Sequence, residues 1–404
     1  MKPIYNQILD SRGNPTIQAQ YKELIVAVPS GASTGAHEAP ELRDHQEEYE
    51  GNTVYKAIQN AQHLSEELDW ETITIADADK KILDTDKTKK LLGANATLAV
   101  SLLAGSIQAN REGKQPYELI AELSGNKPLL PMPFANVING GKHADNDLMI
   151  QEIMIVPTNA HTFAEATRQV TETYHALKTI LKKRYGGAST ALGDEGGFAP
   201  PITHIEEALS ILIEAMSNAG HKLSFAIDAA ASEFYSDKGY EIRPGEYMTA
   251  EELIEYYVHL IDTYPIISLE DPFDEEDYAS FAKLRKKVRI QIVGDDLTVT
   301  NTQRIQEAIN QESCNSLLLK VNQIGTLTEA LEAAKLSKDN GWTVMVSHRS
   351  GETSDTWIAD IATGLGCGQI KLGAPARGER VAKYNRLLTI EAVHNLAFAQ
   401  WKNI

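Results

Sequence analysis

Three acidic side chains, Asp228, Glu270 and Asp295, each close a short apolar run of strand length. If those runs are neighbouring parallel strands, the three carboxylates meet at one edge and repel each other unless a cation neutralises them. A ligand set made only of oxygen atoms favours a hard ion, Mg²⁺ or Mn²⁺. A single strand-end acid more often caps a helix or forms an outward salt bridge, but three acids at regular spacing favour a metal site.

Two lysines, Lys320 and Lys371, close later runs, and His348, Arg349 and Ser350 lie between them. A lysine acts as a general base only when it is neutral, and lowering its pKa from about 10.4 to about 7–8 costs the protonated form about 4 kcal/mol. A second lysine and nearby metal ions would supply the necessary repulsion. We therefore predict removal of a proton alpha to a carboxylate, although a lone strand-end lysine is more often a surface residue.

Two further segments carry candidates whose roles the pattern leaves open. Glu195 lies in the glycine-rich segment 193–197, where glycine permits a tight backbone and exposes the carboxyl group. The same segment is equally compatible with a polar turn. His143 and Glu152 flank a second ambiguous segment, and a lone histidine is more often structural than catalytic.

Two glycine-rich tracts do not fit the nucleotide-binding motifs that they superficially suggest. The tract 364–368 runs into a strand instead of out of a strand into a helix, so it lacks the context of a dinucleotide fingerprint. The tract 30–35 lacks the Gly-Lys-Ser/Thr ending of a P-loop. We interpret it as a loop that offers free amides and hydroxyls, including that of Ser33.

The elements that must position these residues are repeated βα units. Apolar runs alternate with helix-length segments, and their end residues recur at intervals of about 25 positions, the length of a strand, a helix and two connections. Chemistry at the carboxyl end of successive strands predicts a (β/α)₈ barrel, with a doubly wound sheet as the alternative. We expect residues 1–125 to form a small α+β domain and residues 126–404 to form the barrel. Within the first domain we predict a strand over 16–28 and helices over 53–68 and 94–112.

Charge and composition limit the partners. The formal net charge is −18, which disfavours nucleic acid and anionic membranes. The two cysteines, Cys314 and Cys367, cannot build a disulfide framework or a CxxC site, and we see no signal peptide and no membrane-spanning stretch. We therefore predict a cytoplasmic protein with a small-molecule substrate.

Taken together, these residues resemble one family, the enolases (phosphopyruvate hydratases). The resemblance covers nearly the whole chain in order, and the segments SHRSGET and LLKVNQIGTLTE are highly specific. The stretches that carry it include ILDSRGNPT (8–16), VPSGASTG (28–35), EAPELRD (38–44), NVINGGKHADN (136–146), ALGDEGGFAP (191–200), SLEDPFDEED (268–277), LLLKVNQIGTLTE (317–329), VSHRSGET (346–353) and GQIKLGAPARGERVAKYN (368–385).

The resemblance implies a fold, a reaction and residue roles. The fold would be an α+β domain on an atypical barrel whose early strands break strict βα alternation. The reaction would be the reversible, Mg²⁺-dependent dehydration of 2-phosphoglycerate to phosphoenolpyruvate by a homodimer or octamer. Superfamily members pair a lysine or histidine base with one or two Mg²⁺ ions, a general property that the spacing alone does not show.

The implied roles fall into three groups. The first, conformational Mg²⁺ would be bound by Asp228, Glu270 and Asp295, and Ser33 would help to bind a second, catalytic Mg²⁺ together with the substrate. Lys320 would be the base, and Glu195 assisted by Glu152 would protonate the departing hydroxide. Lys371 would bind the substrate carboxylate, Arg349 and Ser350 the phosphate, and His143 and His348 would be further site residues.

Two alternatives remain at this point. One is a superfamily dehydratase for unphosphorylated acid sugars, against which Arg349, Ser350 and the 30–35 loop argue. The other is an additional surface-binding role of the plasminogen type, or a scaffold role, of a retained enzyme fold.

Overall fold

The computed structural model describes residues 1–31, 34–45, 47–144 and 146–402. The chain begins with an antiparallel sheet of three strands, β1 (Ile4–Leu9), β2 (Pro15–Tyr21) and β3 (Leu24–Ala27). The predicted single strand over 16–28 is wrong, because β2 and β3 form a hairpin. Its two-residue turn places Lys22 in the left-handed region (φ 54°) without the Gly or Asn that usually marks such turns.

Four helices follow: α1 (Tyr55–Glu66), α2 (Ile75–Thr85), α3 (Ala94–Arg111) and α4 (Pro116–Ser124). The helices predicted over 53–68 and 94–112 are confirmed as α1 and α3. Helix α3 is buried on nearly every side, because it packs against β2 and β3 and also against helices of the second half of the chain. An alanine-rich helix with apolar residues all round is suited to such a position.

The second half contains the remaining elements. Its strands are β4 (Met132–Asn139), β5 (Glu152–Val156), β6 (Ser224–Asp228), β7 (Tyr235–Ser236), β8 (Gly239–Arg243), β9 (Glu246–Met248), β10 (Ile266–Glu270), β11 (Gln291–Gly294), β12 (Ser316–Leu319), β13 (Thr343–Ser347) and β14 (Gly368–Lys371). Its helices are α5 (Phe163–Tyr185), α6 (Ile205–Ala219), α7 (Ala250–Thr263), α8 (Tyr278–Lys287), α9 (Thr302–Asn310), α10 (Val321–Ile324), α11 (Leu327–Asp339), α12 (Trp357–Leu365) and α13 (Gly378–His394).

Eight of these strands close into a barrel in the order β4-β5-β6-β10-β11-β12-β13-β14, and β7–β9 form a separate small sheet. The barrel prediction is confirmed and the doubly wound alternative is wrong. Strand β5 is antiparallel to both β4 and β6, whereas the other neighbouring barrel strands are parallel. The expected break in βα alternation is therefore present, because β4 and β5 are joined without an intervening α-helix.

The N-terminal helices dock on the segment that follows β12. Thr97 donates to the carbonyl of Gly325 at 2.8 Å, and Thr328 N donates to Asp79 Oδ2 at 2.8 Å. The first contact fixes the end of α10 against α3, and the second fixes the start of α11 against α2. Across the described segments, no helix combines the length and the apolar character that a bilayer span requires.

Candidate active site

The ionisable side chains predicted from the strand ends gather at one mouth of the barrel. Because β5 is antiparallel, its first residue reaches the same mouth as the last residues of the parallel strands, and Glu152 lies opposite Asp228 in the β5–β6 ladder. The side chains from the predicted set that line one cavity are His143, Glu152, Glu195, Asp228, Lys320, His348, Arg349, Ser350 and Lys371.

Lys371 lies at the centre of a buried group of carboxylates. Its Nζ is 2.7 Å from Glu270 Oε1, 2.8 Å from Asp228 Oδ2 and 3.3 Å from Glu152 Oε2. Burial alone would lower the pKa of Lys371, but the surrounding carboxylates outweigh burial and raise it well above its usual value. Lys371 is therefore a fixed cation in this site.

Lys320 forms an ion pair with Asp295 Oδ2, and Gln323 Nε2 donates to the other oxygen of the same carboxylate at 2.8 Å. Burial lowers the pKa of Lys320, but the charge of Asp295 more than compensates, so the pKa is raised. We predicted that a second lysine and nearby metal ions together would lower this pKa. Among the protein's own charges, Asp295 outweighs Arg349 and Lys371.

Glu152, Glu195 and His143 form a second compact group, with ligand atoms within 4.8 Å of one another. His143 Nδ1 lies 3.5 Å from Glu152 Oε1 and 3.6 Å from Glu195 Oε1, and Asn136 donates to Glu195 Oε2 at 2.9 Å. Burial and the neighbouring Glu195 raise the pKa of Glu152 well above its usual value. For Glu195, burial raises the pKa, but His348, His143 and Arg380 outweigh it and hold the pKa well below its usual range. The opposite shifts favour a proton on Glu152 and an ionised Glu195.

Arg349 is a buried cation held by a carboxylate from the N-terminal half. Its Nη1 and Nη2 donate to the two oxygens of Glu38 at 2.9 and 3.1 Å, and Nη1 also donates to Asn322 Oδ1 at 3.1 Å. Gly31 packs directly on the guanidinium, where a Cβ atom would lie 2.1 Å from Nη2. A side chain at position 31 would therefore displace Arg349.

The acids predicted as metal ligands carry oxygen donors only, but they do not lie together. Asp228, Glu270 and Asp295 offer only carboxylate oxygens, and Glu270 Oε2 is buried without a hydrogen-bond partner among the described residues. This donor set fits a hard divalent cation. It does not form one compact group, however, because Lys371 lies between Asp228 and Glu270.

Asp295 instead groups with Asp271 and Asp296, whose carboxylate oxygens lie within 4.8 Å of one another and of Asp295. Strand alternation would point Asp296 away from Asp295, but β11 ends at Gly294, and the backbone amides of both residues donate to the Asp271 carboxylate at 2.9 and 2.7 Å. Ser33, predicted to bind metal and substrate, lies outside the described residues.

Sequence reasoning missed three residues that hold the site together, Glu38, Gln323 and Arg380. All three lie inside stretches that carry the family resemblance, but their charge and position gave no sign of their partners. Arg380 is fully buried and donates to His348 Nδ1 at 2.7 Å, which a helix-surface pattern would not indicate.

Comparison with known proteins agrees with this architecture. The family model described as the enolase N-terminal domain matches residues 4–120, and the model described as the enolase C-terminal TIM barrel domain matches residues 127–400. The enolase of Methanocaldococcus jannaschii is 49% identical over 401 residues, which cover 96% of this chain and 94% of the relative. Because these matches span almost the whole chain, the chain belongs to the enolase family of lyases, which use divalent metal ions.

Proposed function

We propose that this chain catalyses the reversible, Mg²⁺-dependent dehydration of 2-phosphoglycerate to phosphoenolpyruvate. The observation that carries the proposal is a single cavity in which the cations of Lys320 and Lys371 face the paired carboxyl groups of Glu152 and Glu195. A lysine base on one side and a carboxylic acid on the other are what removal of a carbon-bound proton followed by loss of hydroxide requires.

Substrate binding would use the cations at the cavity wall. Arg349 and Ser350 are adjacent at the end of β13 and would bind the phosphate, for which a guanidinium is geometrically suited. Lys371 would bind the substrate carboxylate. The negative charge that develops on that carboxylate would then lie beside a buried, permanently charged ammonium, which stabilises the transition state more than the ground state.

The proton transfers would be divided between the two sides of the cavity. The negative charge of Asp295 keeps Lys320 protonated. Lys320 would take the C2 proton once a cation other than the lysine neutralises that charge. Glu195 would protonate the leaving hydroxide by passing on the proton that its neighbour Glu152 holds. His143 lies between these two carboxyl groups and His348 faces Glu195, so both would orient the acid.

Asp228, Glu270 and Asp295 would hold the first Mg²⁺, and Ser33 would contribute to the second together with the substrate. The ions would supply positive charge to the substrate carboxylate and phosphate. Engagement of Asp295 by a cation would also remove the charge that raises the pKa of Lys320. The proposal therefore links metal binding to activation of the base through one carboxylate.

The remaining expectations stay proposals. We propose a boundary at residues 125/126 between the α+β domain and the barrel domain, a homodimeric or octameric assembly, and a cytoplasmic location. The boundary is supported by α4, which ends at Ser124, and by β4, which begins at Met132 and pairs with both β5 and β14.

The test is the appearance of phosphoenolpyruvate from 2-phosphoglycerate, followed by ultraviolet absorbance, with Mg²⁺, after chelation by EDTA, and after restoration of Mg²⁺. We expect activity only when Mg²⁺ is present. Activity that persists in EDTA would contradict the metal requirement, and turnover of unphosphorylated glycerate in preference to 2-phosphoglycerate would identify the alternative dehydratase.

A further inference from the structure

Arg380, on α13, joins two separate parts of the candidate site. Its Nη1 donates to His348 Nδ1 at 2.7 Å and to the carbonyl of Arg349 at 2.5 Å. Its Nη2 donates to the carbonyls of Ser350 at 2.6 Å and of Asp194 at 3.1 Å. One fully buried guanidinium thus holds the segment after β13 against the glycine-rich loop that carries Glu195.

The chemistry of arginine determines the protonation of His348. A guanidinium has only hydrogen-bond donors, so the nitrogen that it contacts must act as an acceptor. Nδ1 of His348 therefore carries no proton, and the proton of the neutral ring lies on Nε2. That nitrogen is 3.3 Å from Glu195 Oε2, a distance from which a small rotation of either side chain gives a hydrogen bond.

We propose that Arg380 is a positioning residue that fixes His348 as the neutral tautomer protonated at Nε2, so that His348 donates to Glu195 and takes no part in proton transfer. The inference deepens the proposed function, on which its role in turnover rests. It assigns the acid chemistry to Glu195 and Glu152 and makes His348 a fixed donor that keeps Glu195 oriented.

The packing around His348 leaves little room for a flipped imidazole ring. A Cβ atom at Gly373 would lie 3.1 Å from His348 Cε1, so the ring is packed directly against the backbone after β14. A ring flip would put Cδ2–H in the place of Nδ1 and so remove the acceptor from the Arg380 guanidinium. The backbone amide of His348 also donates to the carbonyl of Lys371 at 3.0 Å, which holds the residue at the end of the barrel.

Among the described residues, the charges that affect His348 most are those of Glu195 in the glycine-rich loop, Arg380 on α13 and Glu352 after β13. Glu352 is paired with Lys383 at 2.7 Å, so its charge is largely compensated. Burial lowers the pKa of His348 to about 4, with Glu195 opposing the shift and Arg380 reinforcing it. The neutral ring required by the hydrogen-bond geometry is thus also the state favoured by its surroundings.

The tautomer can be measured in the wild-type protein. Two-bond ¹H–¹⁵N correlation spectra of protein labelled with ¹⁵N-histidine distinguish protonated from unprotonated ring nitrogens, and a His348→Gln spectrum assigns the signals. We expect His348 to show protonated Nε2 and unprotonated Nδ1 throughout the range from about pH 5.5 to 8.5. A proton on Nδ1, or a ring that titrates near its ordinary pKa of about 6.5, would overturn the proposal.

A variant tests whether Arg380 is the cause. Arg380→Gln replaces the obligate donor by an amide that can also accept, and Arg386→Gln makes the same change on the same helix at a residue paired with Asp360, outside the site. We expect the Arg380 variant alone to let the neutral His348 ring populate the tautomer protonated at Nδ1, and to lose about 10- to 100-fold in kcat with KM changed less than about threefold. Unchanged His348 spectra in a folded Arg380→Gln protein would refute the role, even if activity fell.

The proposed reaction and the positioning role of Arg380 can be refuted independently. Absence of phosphoenolpyruvate formation by the wild type would refute the proposed function without affecting the tautomer. A wrong tautomer in an active wild type would refute the positioning role and leave the reaction standing. If Arg380→Gln does not fold, the wild-type spectra still decide the assignment.

Discussion

Asp295 and Lys320, each at the end of a barrel strand, form an ion pair at the mouth of the cavity, and Gln323 holds the second oxygen of the same carboxylate. The proposed base is therefore paired with a proposed metal ligand. Since Asp295 raises the pKa of Lys320, the lysine is protonated until that carboxylate is engaged by another cation. If Lys320 is the base, this contact would make its activation depend on a cation at Asp295.

Lys320→Ala should abolish exchange of the C2 proton of 2-phosphoglycerate with solvent. No other lysine in the described site is placed as a base, because Lys371 is held by three carboxylates. The measurement is loss of deuterium from C2-labelled substrate, followed by NMR with Mg²⁺ present. Lys335→Ala, at an exposed lysine on α11, is the control and should exchange like wild type. Equal exchange in the Lys320 variant and wild type would refute the assignment.

Glu195→Gln should keep C2 exchange but stop dehydration. The amide preserves the size of the side chain and the contact with Asn136, yet it cannot deliver a proton to the leaving hydroxide. We expect phosphoenolpyruvate formation to fall by about 10²- to 10⁴-fold, the usual contribution of an acid catalyst. Glu214→Gln, an exposed change on α6, serves as the matched control. If exchange and dehydration fell together, Glu195 would have a role in proton abstraction or in binding.

Much of the barrel could be predicted from local patterns. Strand β12 is buried on both faces, its last three residues are leucines, and the first charged residue after them, Lys320, marks the mouth. Strand β4 was not predicted, because Pro131 and Pro133 gave its beginning the appearance of a linker. The hairpin of β2 and β3 was missed because its turn contains neither glycine nor proline, the residues that usually mark a turn.

The contacts that tune the site could not be predicted in the same way. Glu38 and Arg349 are 311 positions apart, and Arg380 reaches His348 from a helix 32 positions later. A period or a motif describes neighbours along the chain, whereas these pairs depend on how the N-terminal loop and the last helix pack over the barrel mouth. The raised pKa of Lys320 is a further consequence of such packing.

Neutralising Glu38 should strengthen phosphate binding. Glu38 now occupies both terminal nitrogens of Arg349, the fork that a phosphate would use, and its negative charge would repel the incoming dianion. For Glu38→Gln we expect the dissociation constant of inorganic phosphate, measured by calorimetry with Mg²⁺, to fall by about three- to tenfold, or about 1 kcal/mol. Weaker binding would show instead that Glu38 orients Arg349.

The matched control for that experiment is Glu275→Gln. This substitution removes the same charge. Glu275 accepts from Ala36 N, in the loop that carries Glu38, at 3.1 Å, but in the described structure it does not pair with Arg349. Its phosphate affinity should equal that of wild type. A gain in both variants would indicate a general effect of net charge, which raising the salt concentration would abolish.

The docking of the N-terminal helices carries a pH dependence through Asp79. This carboxyl group is fully buried on α2, accepts from Thr328 N at 2.8 Å, and leaves Oδ1 without a hydrogen-bond partner among the described residues. Burial raises the pKa of Asp79 to about 6. In the unfolded chain the pKa is about 3.9, so between about pH 4 and pH 6 the folded state binds a proton that the unfolded state has lost.

The contribution of Asp79 to stability is therefore greatest below about pH 4 and is lost as the pH rises through about 6. Asp79→Asn keeps the acceptor for Thr328 and cannot ionise, so it should stabilise the protein at pH 7.5 by up to about 3 kcal/mol and change it little at pH 4. Denaturant unfolding at both values measures this difference. Asp84→Asn, an exposed change on the same helix, should show no such pH-dependent gain. An Asp79 variant that is less stable than wild type at pH 7.5 would mean that the ionised carboxylate holds the helices together, and that the domains dock through charge instead of through a neutral hydrogen bond.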